Sequence, residues 1–389
     1  MVCVVGAGIS GLSTAFHLAA HPDIAITVYE QEDHFGGRAD VDPDGEHCPR
    51  FFMDDYVQLF AVLRQIKGAD GESVFASLRP VRRFAHTPSS GWVEITHLYR
   101  ILAKEIPLAE RLRAVRLWRP SPLVAEQHPL RNANRYGSLR NFSFVPLTRM
   151  VANFFTSKVG YVLPGPTDEY LITPWVRHLR ERGVVLRESH RVTRIGPDKD
   201  HVTVTTAAGA EDFDAVVVTA FVPDLVSLLD ASNLAHTVVE TSHTHCVAFT
   251  IGLDAREPVV AGTEPSFYCR DGLNILVQPE HRRCVVLCTR SPSTDAAYVL
   301  PKVRAFLGLR YEFTGHRTRP NQRPGEAVLV GDYLRAGRIL RRPTGNVQLA
   351  GSYVHNSYPL DSAEGAARSA LAAARRVLAG RAAGGSDGT

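Results

Sequence analysis

The chain begins with an apolar run that leads into a glycine-rich turn. Val2 to Val5 are apolar, and Gly6, Gly8 and Gly11 then give the spacing G-x-G-x-x-G. In such a turn the first glycine permits a sharp bend, the second a close backbone approach to a pyrophosphate, and the third tight helix packing. The phosphates can rest on the unpaired N–H groups at the start of the next helix. This feature predicts a βαβ unit that binds a dinucleotide.

An acidic residue follows at the position that such a unit requires. Ala25 to Tyr29 have the pattern of a second strand, and Glu30 comes directly after it. A carboxylate at this place can accept hydrogen bonds from a ribose diol. The glycine spacing alone is often a simple turn, but here strand, helix and acid occur in register, which favours the binding function.

Composition indicates a soluble globular protein with room for two domains. The chain has 389 residues, of which 44% are hydrophobic and 22% are charged, so a sizeable buried core is expected. The formal net charge is +4, and the five lysines are scattered along the sequence. So small an excess of positive charge argues against a nucleic-acid partner.

The cysteines do not have a metal-binding pattern. The chain has 6 cysteines, without a C-x-x-C pair or a Cys/His cluster with zinc spacing. The N-terminus does not resemble a signal peptide, and the chain contains no apolar run long enough to span a membrane. We therefore expect a cytoplasmic protein without a metal, and peripheral membrane contact stays open.

The pattern of a parallel α/β sheet returns after two long intervening segments. A buried-type strand at 215–220 and a last strand near Val347 are followed by an alanine-rich helix from Ala363 to Leu378. Helices are also predicted for 50–66 and 170–182. The predicted Rossmann-type domain is discontinuous and consists of residues 1–70, 165–224 and 341–380. The expected remainder is a substrate domain of residues 71–164 and 225–340 and a disordered tail of residues 381–389.

Three further segments follow the opening unit in a characteristic order. They are Gly36-Gly37-Arg38, the strand at 191–195 together with residues 215–223, and the closing segment 349–370. The glycine pair again permits a close backbone approach, and Arg38 can pair with a phosphate. Together the four segments resemble the FAD-binding architecture of the flavin amine oxidase and phytoene desaturase superfamily. The resemblance implies an α/β oxidoreductase with a discontinuous Rossmann-type FAD-binding domain and an inserted substrate domain of mixed sheet plus helices.

The resemblance also implies which residues contact the FAD. The helix that starts near Ser362 would direct its N-terminal dipole at the flavin, which favours the negative charge of the reduced ring. The residues expected to bind the cofactor are Gly6, Gly8, Ile9, Ser10, Gly11, Glu30, Gly36, Gly37, Arg38, Val192, Ala220, Gly351, Ser352, Glu364, Gly365 and Ala366.

Two positions in the closing segment depart from the family pattern. Ser352 stands where the family usually has an acid, and Ala370 stands where it has a glycine. The serine hydroxyl can still hydrogen-bond a ribityl or phosphate oxygen, but more weakly than a carboxylate. Elsewhere, the stretches 47–56 and 165–175 resemble plant-type phytoene desaturases and hydroxysqualene oxidoreductases. They favour the desaturase-like branch of the superfamily.

Only one G-x-G-x-x-G is present, so a separate nicotinamide-binding domain is not expected. The substrate would reduce FAD by hydride transfer to N5, and oxygen, a quinone or a carrier would reoxidise it. We expect dehydrogenation (desaturation) of a small or medium apolar substrate. Aromatic residues within 139–160 are candidates for an apolar pocket, although core packing is their commoner use. The open alternatives are an amine or amino-acid oxidase that produces peroxide, a redox-neutral isomerase, and a non-enzymatic FAD-binding protein.

Three polar residues are the candidates for a catalytic role, namely His355, Tyr358 and Asp54. An imidazole such as that of His355 can act as a base near neutral pH. Arg50 is a further candidate to line the flavin. Amine oxidases of this superfamily commonly use a lysine beside the flavin. Lys302 is the nearest lysine in chain order, but it lies in a surface-like helical pattern, which weakens the case for a lysine-assisted amine oxidation.

Overall fold

The computed structural model describes residues 1–43, 45–87, 91–94, 160–234, 243–244, 246–255, 265–270, 273–288, 296–307, 311–321, 328–329, 345–354, 358 and 362–384. The first strands are β1 (Val2–Val5), β2 (Ile26–Tyr29), β3 (Val41–Asp42), β4 (Gly45–Glu46), β5 (Phe51–Met53), β6 (Arg79–Thr87), β7 (Gly91–Glu94), β8 (Gly160–Val162), β9 (Val185–Arg187), β10 (Val192–Pro197) and β11 (Val202–Thr206). They are followed by β12 (Gly209–Phe213), β13 (Ala215–Val218), β14 (His243–Thr244), β15 (Cys246–Ala255), β16 (Ser266–Arg270), β17 (Leu273–Gln278), β18 (Arg283–Cys288), β19 (Tyr311–Asn321), β20 (Val328–Leu329) and β21 (Val347–Leu349). The helices are α1 (Ile9–Leu18), α2 (Val57–Leu63), α3 (Val74–Ser77), α4 (Thr173–Glu181), α5 (Val222–Ala231), α6 (Ala296–Leu307) and α7 (Ala363–Gly384).

A parallel sheet contains the N-terminal unit. Its strand order is β21-β13-β1-β2-β9, and each neighbouring pair is parallel. All residues of β1 and β13 are buried, because both faces of these strands are covered. Helices α1, α4 and α7 contribute to the apolar core on one face, and α5 with the small sheet β10-β11-β12 contributes to the other. The predicted Rossmann-type α/β fold is confirmed.

The strands of the parallel sheet come from three separate parts of the chain. β1 and β2 lie within residues 1–70, β9 and β13 within 165–224, and β21 within 341–380. These are the stretches predicted for the discontinuous domain. The domain boundaries themselves stay a prediction.

A second, mixed sheet is formed largely by the intervening segments. Its order is β19-β15-β18-β17-β16-β6-β8-β5, with β7 paired to β6. We call it the substrate sheet after the substrate domain that the sequence predicts for these segments. β16 and β6 are parallel, whereas the other described pairs of this sheet are antiparallel. Its core includes Phe249 and Val286, which belong to the same buried cluster as Val299 and Val303 of α6. The hairpin β3–β4 contacts β15 and β19.

The helix predicted for residues 50–66 is shorter in the structure. Phe51–Met53 form strand β5 and pair with β8, and α2 covers only Val57–Leu63. Aromatic side chains suit a pleated, half-buried surface, and β8 supplies the pairing partner from more than 100 residues away. The helical pattern was therefore overridden at its start by a long-range contact.

The other two predicted helices differ at their ends. A π-helical segment, Asp168–Ile172, precedes α4, which begins next to Pro174 and ends before Gly183 at φ +79°. Proline lacks the N–H that a continuous helix would need, and glycine accepts the left-handed conformation at a helix end. Helix α7 continues to Gly384, so the first residues of the predicted disordered tail are helical. None of the described helices is long and apolar enough to cross a membrane.

Candidate functional site

A cavity of about 1300 Å³ lies at the carboxyl ends of the parallel strands. Val5, Glu30 and Ala220, at or just beyond the ends of β1, β2 and β13, all line it, and so does Gly351 after β21. Open parallel sheets bind their ligands in a crevice at this edge, because the loops and helix N-termini meet there. The position of the cavity is therefore that of a dinucleotide site.

The first glycine turn is built so that side chains do not fit. Gly6 adopts φ +98°, and a Cβ at Gly11 would lie only 1.9 Å from the Gly6 carbonyl oxygen. A Cβ at Gly6 would approach Thr219 Oγ1 to 2.8 Å. Gly11 therefore serves close packing of α1 against the turn, as the sequence predicts, and it does not line the cavity itself.

The second glycine pair packs directly on the first turn. Gly36 donates its N–H to the Ala7 carbonyl at 3.0 Å, and a Cβ at Gly37 would lie 3.2 Å from Gly8 Cα. Gly8, Gly36 and Gly37 all line the cavity. The two loops thus present bare backbone to the cavity, which is the surface that a pyrophosphate needs. We call this surface, from Gly6–Gly8 and Gly36–Gly37, the glycine cradle.

Glu30 is fixed at the edge of the cradle by backbone donors. Its Oε2 accepts a hydrogen bond from Ala7 N at 2.7 Å, and its Oε1 accepts one from Glu32 N at 3.1 Å. Burial raises the pKa of this carboxyl, and the backbone N–H donors oppose the rise. The side chain lines the cavity, so its carboxylate is held where a ribose could reach it.

Arg38 connects the second glycine pair to the closing segment. Its guanidinium lies 4.4 Å from the centroid of the Phe221 ring, and its Nη2 donates to Ser352 Oγ at 3.2 Å. Ser352, which stands in place of the usual acid, thus interacts with the arginine through a hydroxyl. Arg38 and Ser352 both line the cavity, where a guanidinium can pair with phosphate oxygens.

The start of α7 lies beside the start of α1. Ser10 Oγ donates to the Ala366 carbonyl at 3.2 Å, and Ser362 Oγ accepts from Gly365 N at 3.1 Å. Ser369 Oγ accepts from Gly351 N at 2.9 Å, which ties the helix to the end of β21. Two helix N-termini therefore converge on one end of the cavity, and both favour negative charge there.

Glu364, one of the predicted cofactor residues, contacts the start of α2. Its carboxylate accepts hydrogen bonds from Gln58 N at 3.1 Å and Leu59 N at 2.9 Å, at the start of α2, and it pairs with Arg368 Nε at 2.5 Å. The residue is fully buried and does not line the cavity. It caps α2 from a neighbouring helix. Contact of Glu364 and Gly365 with a cofactor stays a prediction.

Thirteen of the sixteen predicted cofactor residues line the cavity. The three that do not are Gly11, Glu364 and Gly365. Those that do are Gly6, Gly8, Ile9, Ser10, Glu30, Gly36, Gly37, Arg38, Val192, Ala220, Gly351, Ser352 and Ala366.

The two predicted catalytic residues that the structure describes, Tyr358 and Asp54, do not line the cavity. Tyr358 is buried, donates its hydroxyl to Asp55 Oδ1 at 2.9 Å, and packs edge-on against Tyr56. Burial raises the pKa of Tyr358 far above its usual value, so the phenol is neutral at physiological pH. The third candidate, His355, lies outside the described residues. The catalytic role of all three stays a prediction.

The residues that line the cavity without a predicted role include Asp40, His47, Cys48 and Arg319. Arg50, predicted to lie near the flavin, lines it as well and donates from Nη2 to the Arg38 carbonyl at 2.9 Å. We call these five residues the polar wall. Residues 40–50 closely follow the glycine pair in the chain, and this position could have identified Asp40, His47 and Cys48 as candidates from the sequence. Arg319 comes from β19, and no local pattern could have identified it.

Lys302 lies away from the cavity. Its Nζ is 3.8 Å from the centroid of the Tyr298 ring on the same helix, α6. None of the lysines within the described parts of the chain lines the cavity.

Sequence comparisons identify the family of the chain. Residues 4–66 match the profile of an NAD(P)-binding Rossmann-like domain. Residues 164–244 and 270–378 match the profile of the flavin-containing amine oxidoreductases. No curated protein sequence is significantly similar to the chain.

Several solved structures share the fold over nearly the whole chain. A candidate protoporphyrinogen oxidase from Exiguobacterium sp. 255-15 has 17% identity and a TM-score of 0.62, with 97% of this chain and 98% of that chain covered. Putrescine oxidase bound to putrescine has 14% identity, a TM-score of 0.59 and coverage of 97% and 98%. Cyclohexylamine oxidase from Brevibacterium oxydans IH-35A gives the same four values.

The two family profiles, the shared fold and the glycine cradle all indicate a flavin-dependent oxidoreductase. The residues around the cavity also fit FAD, since the cradle excludes side chains and Glu30 and Arg38 face the space beside it. The chain belongs to the flavin amine oxidase superfamily of FAD-dependent oxidoreductases.

Proposed function

We propose that this enzyme dehydrogenates a carbon–carbon bond, or a carbon–heteroatom bond other than that of an amine, in a small or medium organic substrate. FAD, when bound, supplies the two-electron oxidation. The observation that carries the proposal is the continuity of one cavity, which extends from Glu30 along the glycine cradle to the polar wall. A cofactor on the cradle and a substrate at the wall would thus share one continuous space.

Different residues of the chain would contact different parts of the cofactor. Glu30 would accept hydrogen bonds from the ribose, and the cradle with Arg38 would hold the pyrophosphate. Ser352 would contact the ribityl or phosphate oxygens. The N-terminus of α7, near Ala366, would face the electron-accepting ring and favour its negative charge.

Dehydrogenation also releases a proton, and the polar wall offers an acceptor for it. His47 is buried and lines the cavity beside Cys48 and Arg50. A neutral imidazole carries a lone pair on one ring nitrogen and can accept a proton there. We infer that His47 takes this role if the reacting bond lies at the wall.

The test is anaerobic reduction of the bound flavin. FAD-loaded protein is mixed with a panel of alcohols, amines, amino acids and apolar alkenes, and the visible flavin absorbance is recorded. The proposal predicts bleaching by a non-amine substrate, at a lower rate in His47→Gln at unchanged FAD content. Bleaching by amines alone, or by no compound in a broad panel, would contradict it.

Amine oxidation is the second candidate, and the match to the flavin-containing amine oxidoreductase profile favours it. Its products would be peroxide and ammonia in equal amounts. Lys302 does not line the cavity, so Lys302→Met should leave peroxide production unchanged, whether or not the substrate is an amine. A loss of peroxide production in this variant would restore the lysine to the mechanism.

The remaining expectations concern the substrate's surroundings. The aromatic residues within 139–160, predicted to line an apolar pocket, lie outside the described residues. We propose an apolar substrate on the sequence pattern alone. Oxygen, a quinone or a carrier would reoxidise the flavin. The cytoplasmic location stays a prediction, as does peripheral contact with a membrane.

A further inference from the structure

Two arginines of the substrate sheet hold the hairpin β3–β4. Arg319 Nη1, from β19, lies 2.9 Å from Asp40 Oδ1 and donates to the Gly45 carbonyl at 3.1 Å. Arg283 Nη2, from β18, lies 2.6 Å from Glu46 Oε1. The hairpin is thus tied on both sides to strands that flank β15 in the substrate sheet.

Both ion pairs are withdrawn from solvent. The side chains of Asp40 and Arg319 are 7% and 4% exposed, and those of Glu46 and Arg283 are 3% and 12% exposed. Glu46 also accepts hydrogen bonds from both the N–H and the hydroxyl of Thr167. Desolvation of charges costs about as much as such pairs return, so their contribution to net stability is small. What they do determine is the position of the hairpin.

Asp40 is joined to the cofactor side as well. Its Oδ2 lies 2.6 Å from His34 Nε2, and His34 precedes the glycine pair by two residues. Asp40, His34 and Arg319 all line the cavity. Among the described residues of β15 to β19, Arg319 is the one that reaches it. A continuous chain of contacts therefore leads from the glycine cradle through Asp40 to β19.

The same hairpin leads directly into the polar wall. His47, Cys48 and Arg50 follow Glu46 in the chain, and all three line the cavity. A shift of the hairpin would move these side chains relative to the cradle. The hairpin is held by the substrate sheet on one side and by the cofactor segment on the other, so it can transmit a change between them.

We propose that Asp40 and Arg319 are positioning residues that couple the cofactor cradle to the substrate sheet. The Glu46–Arg283 pair provides a second attachment for the same hairpin. The proposal rests on the proposed function only in taking the polar wall as the substrate side of the cavity.

The test measures release of FAD from the loaded enzyme after dilution, through the fluorescence of free FAD. Arg319→Gln and Asp40→Asn should each speed release by at least about threefold, since coupling residues typically contribute this much. The double variant should release FAD no faster than the faster single variant, because each change breaks the same link. Arg319→Lys keeps the charge and should release FAD at an intermediate rate.

Hydrogen exchange on the same loaded proteins gives the second measurement. Asp40→Asn should speed exchange in residues 311–321, and Arg319→Gln should speed it in residues 33–40, while β1 stays protected in both. Arg381→Gln is the matched control, because Arg381 pairs with Asp214 at the surface, away from the hairpin. It should leave both FAD release and exchange in these segments unchanged.

Two results would overturn the proposal. One is FAD release at the wild-type rate in Asp40→Asn and Arg319→Gln. The other is multiplication of the two single effects in the double variant, which means that the residues act independently. If Arg319→Gln does not fold, Asp40→Asn and Arg319→Lys decide between the same outcomes. No substrate enters these measurements, so a panel that fails to reduce the flavin counts against the proposed function alone.

Discussion

The glycine cradle and the polar wall line one cavity but are specified in different ways. In the cradle the essential element is backbone geometry, with Gly6 at φ +98° and a Cβ at Gly37 only 3.2 Å from Gly8 Cα. In the wall the essential elements are side chains, and one of them, Arg319, is more than 270 residues from its partner Asp40. A backbone site leaves a spacing pattern in the sequence, whereas a site of paired side chains does not.

The largest effect is expected at Gly11, which packs helix α1 against the cradle. Gly11→Ala would place a Cβ at 1.9 Å from the Gly6 carbonyl oxygen, so the turn or the helix must shift. We expect loss of FAD binding and a destabilisation of about 3 kcal/mol, at the upper end of typical overpacking costs. FAD content and thermal melting measure the two effects.

Gly380→Ala is the matched control for this change. Gly380 lies in α7 with no atom within 4 Å of its added Cβ. Alanine there should stabilise the helix by about 0.5–1 kcal/mol and leave FAD content unchanged. Equal FAD contents in the two alanine variants would contradict the packing role assigned to Gly11.

The next largest effect is expected at the edge of the cradle. Glu30→Ala removes the acceptor for Ala7 N and the proposed partner of the ribose. Hydrogen bonds to a charged group contribute about 1.5–3 kcal/mol, so FAD should bind at least about tenfold more weakly. Fluorescence titration measures the dissociation constant. Asp23→Ala, at an exposed position before β2 that does not line the cavity, should bind FAD like the wild type.

A substitution at Glu364 distinguishes a structural role of this residue from a role in cofactor binding. Glu364→Gln keeps the shape of the side chain but weakens the acceptor for Gln58 N and Leu59 N. As a cap, it should lower the free energy of unfolding by about 1 kcal/mol with FAD affinity unchanged. A drop in FAD affinity at unchanged melting temperature would instead support the contact that the family resemblance implies.

The smallest effect is expected from the titration of His34. Burial alone would lower the pKa of His34, but the hydrogen bonds with Asp33 and Asp40 outweigh burial and raise it above 6.5. The imidazolium therefore contributes stability that is complete below about pH 6.5 and is lost as pH rises through the higher pKa of the folded protein.

The melting temperature, recorded from about pH 5 to about pH 9, measures this contribution, because histidine titrates within this range. The wild type should lose stability relative to His34→Gln as the pH rises. Parallel curves for the two proteins would show that His34 does not titrate against Asp33 and Asp40.

The sequence patterns that predicted the fold were those of local spacing. The apolar run of β1, the glycine turn and Glu30 identified the Rossmann-type fold, because each acts through residues close in the chain. The start of the helix predicted for 50–66 was wrong, because β5 pairs with β8 across a long intervening segment. The hydrophobic periodicity of residues 50–66 carries no information about a strand partner so far away in the chain.

The candidate site divides in the same way. Cofactor residues of the glycine segments could be predicted, since a pyrophosphate-binding backbone needs glycine at fixed intervals. The pairing of Asp40 with Arg319, and of Glu46 with Arg283, could not be predicted. Charged residues in strands are usually solvated, and only the tertiary structure brings these four together in the interior.

The most direct test of the account is a titration of the purified protein with FAD, monitored by visible absorbance after removal of free cofactor. We expect the wild type to retain one FAD per chain, Gly11→Ala to retain none, and Glu30→Ala to retain FAD only at higher concentration. A wild-type protein that stays colourless, or three proteins that retain FAD equally, would contradict the assignment of the cavity as the FAD site.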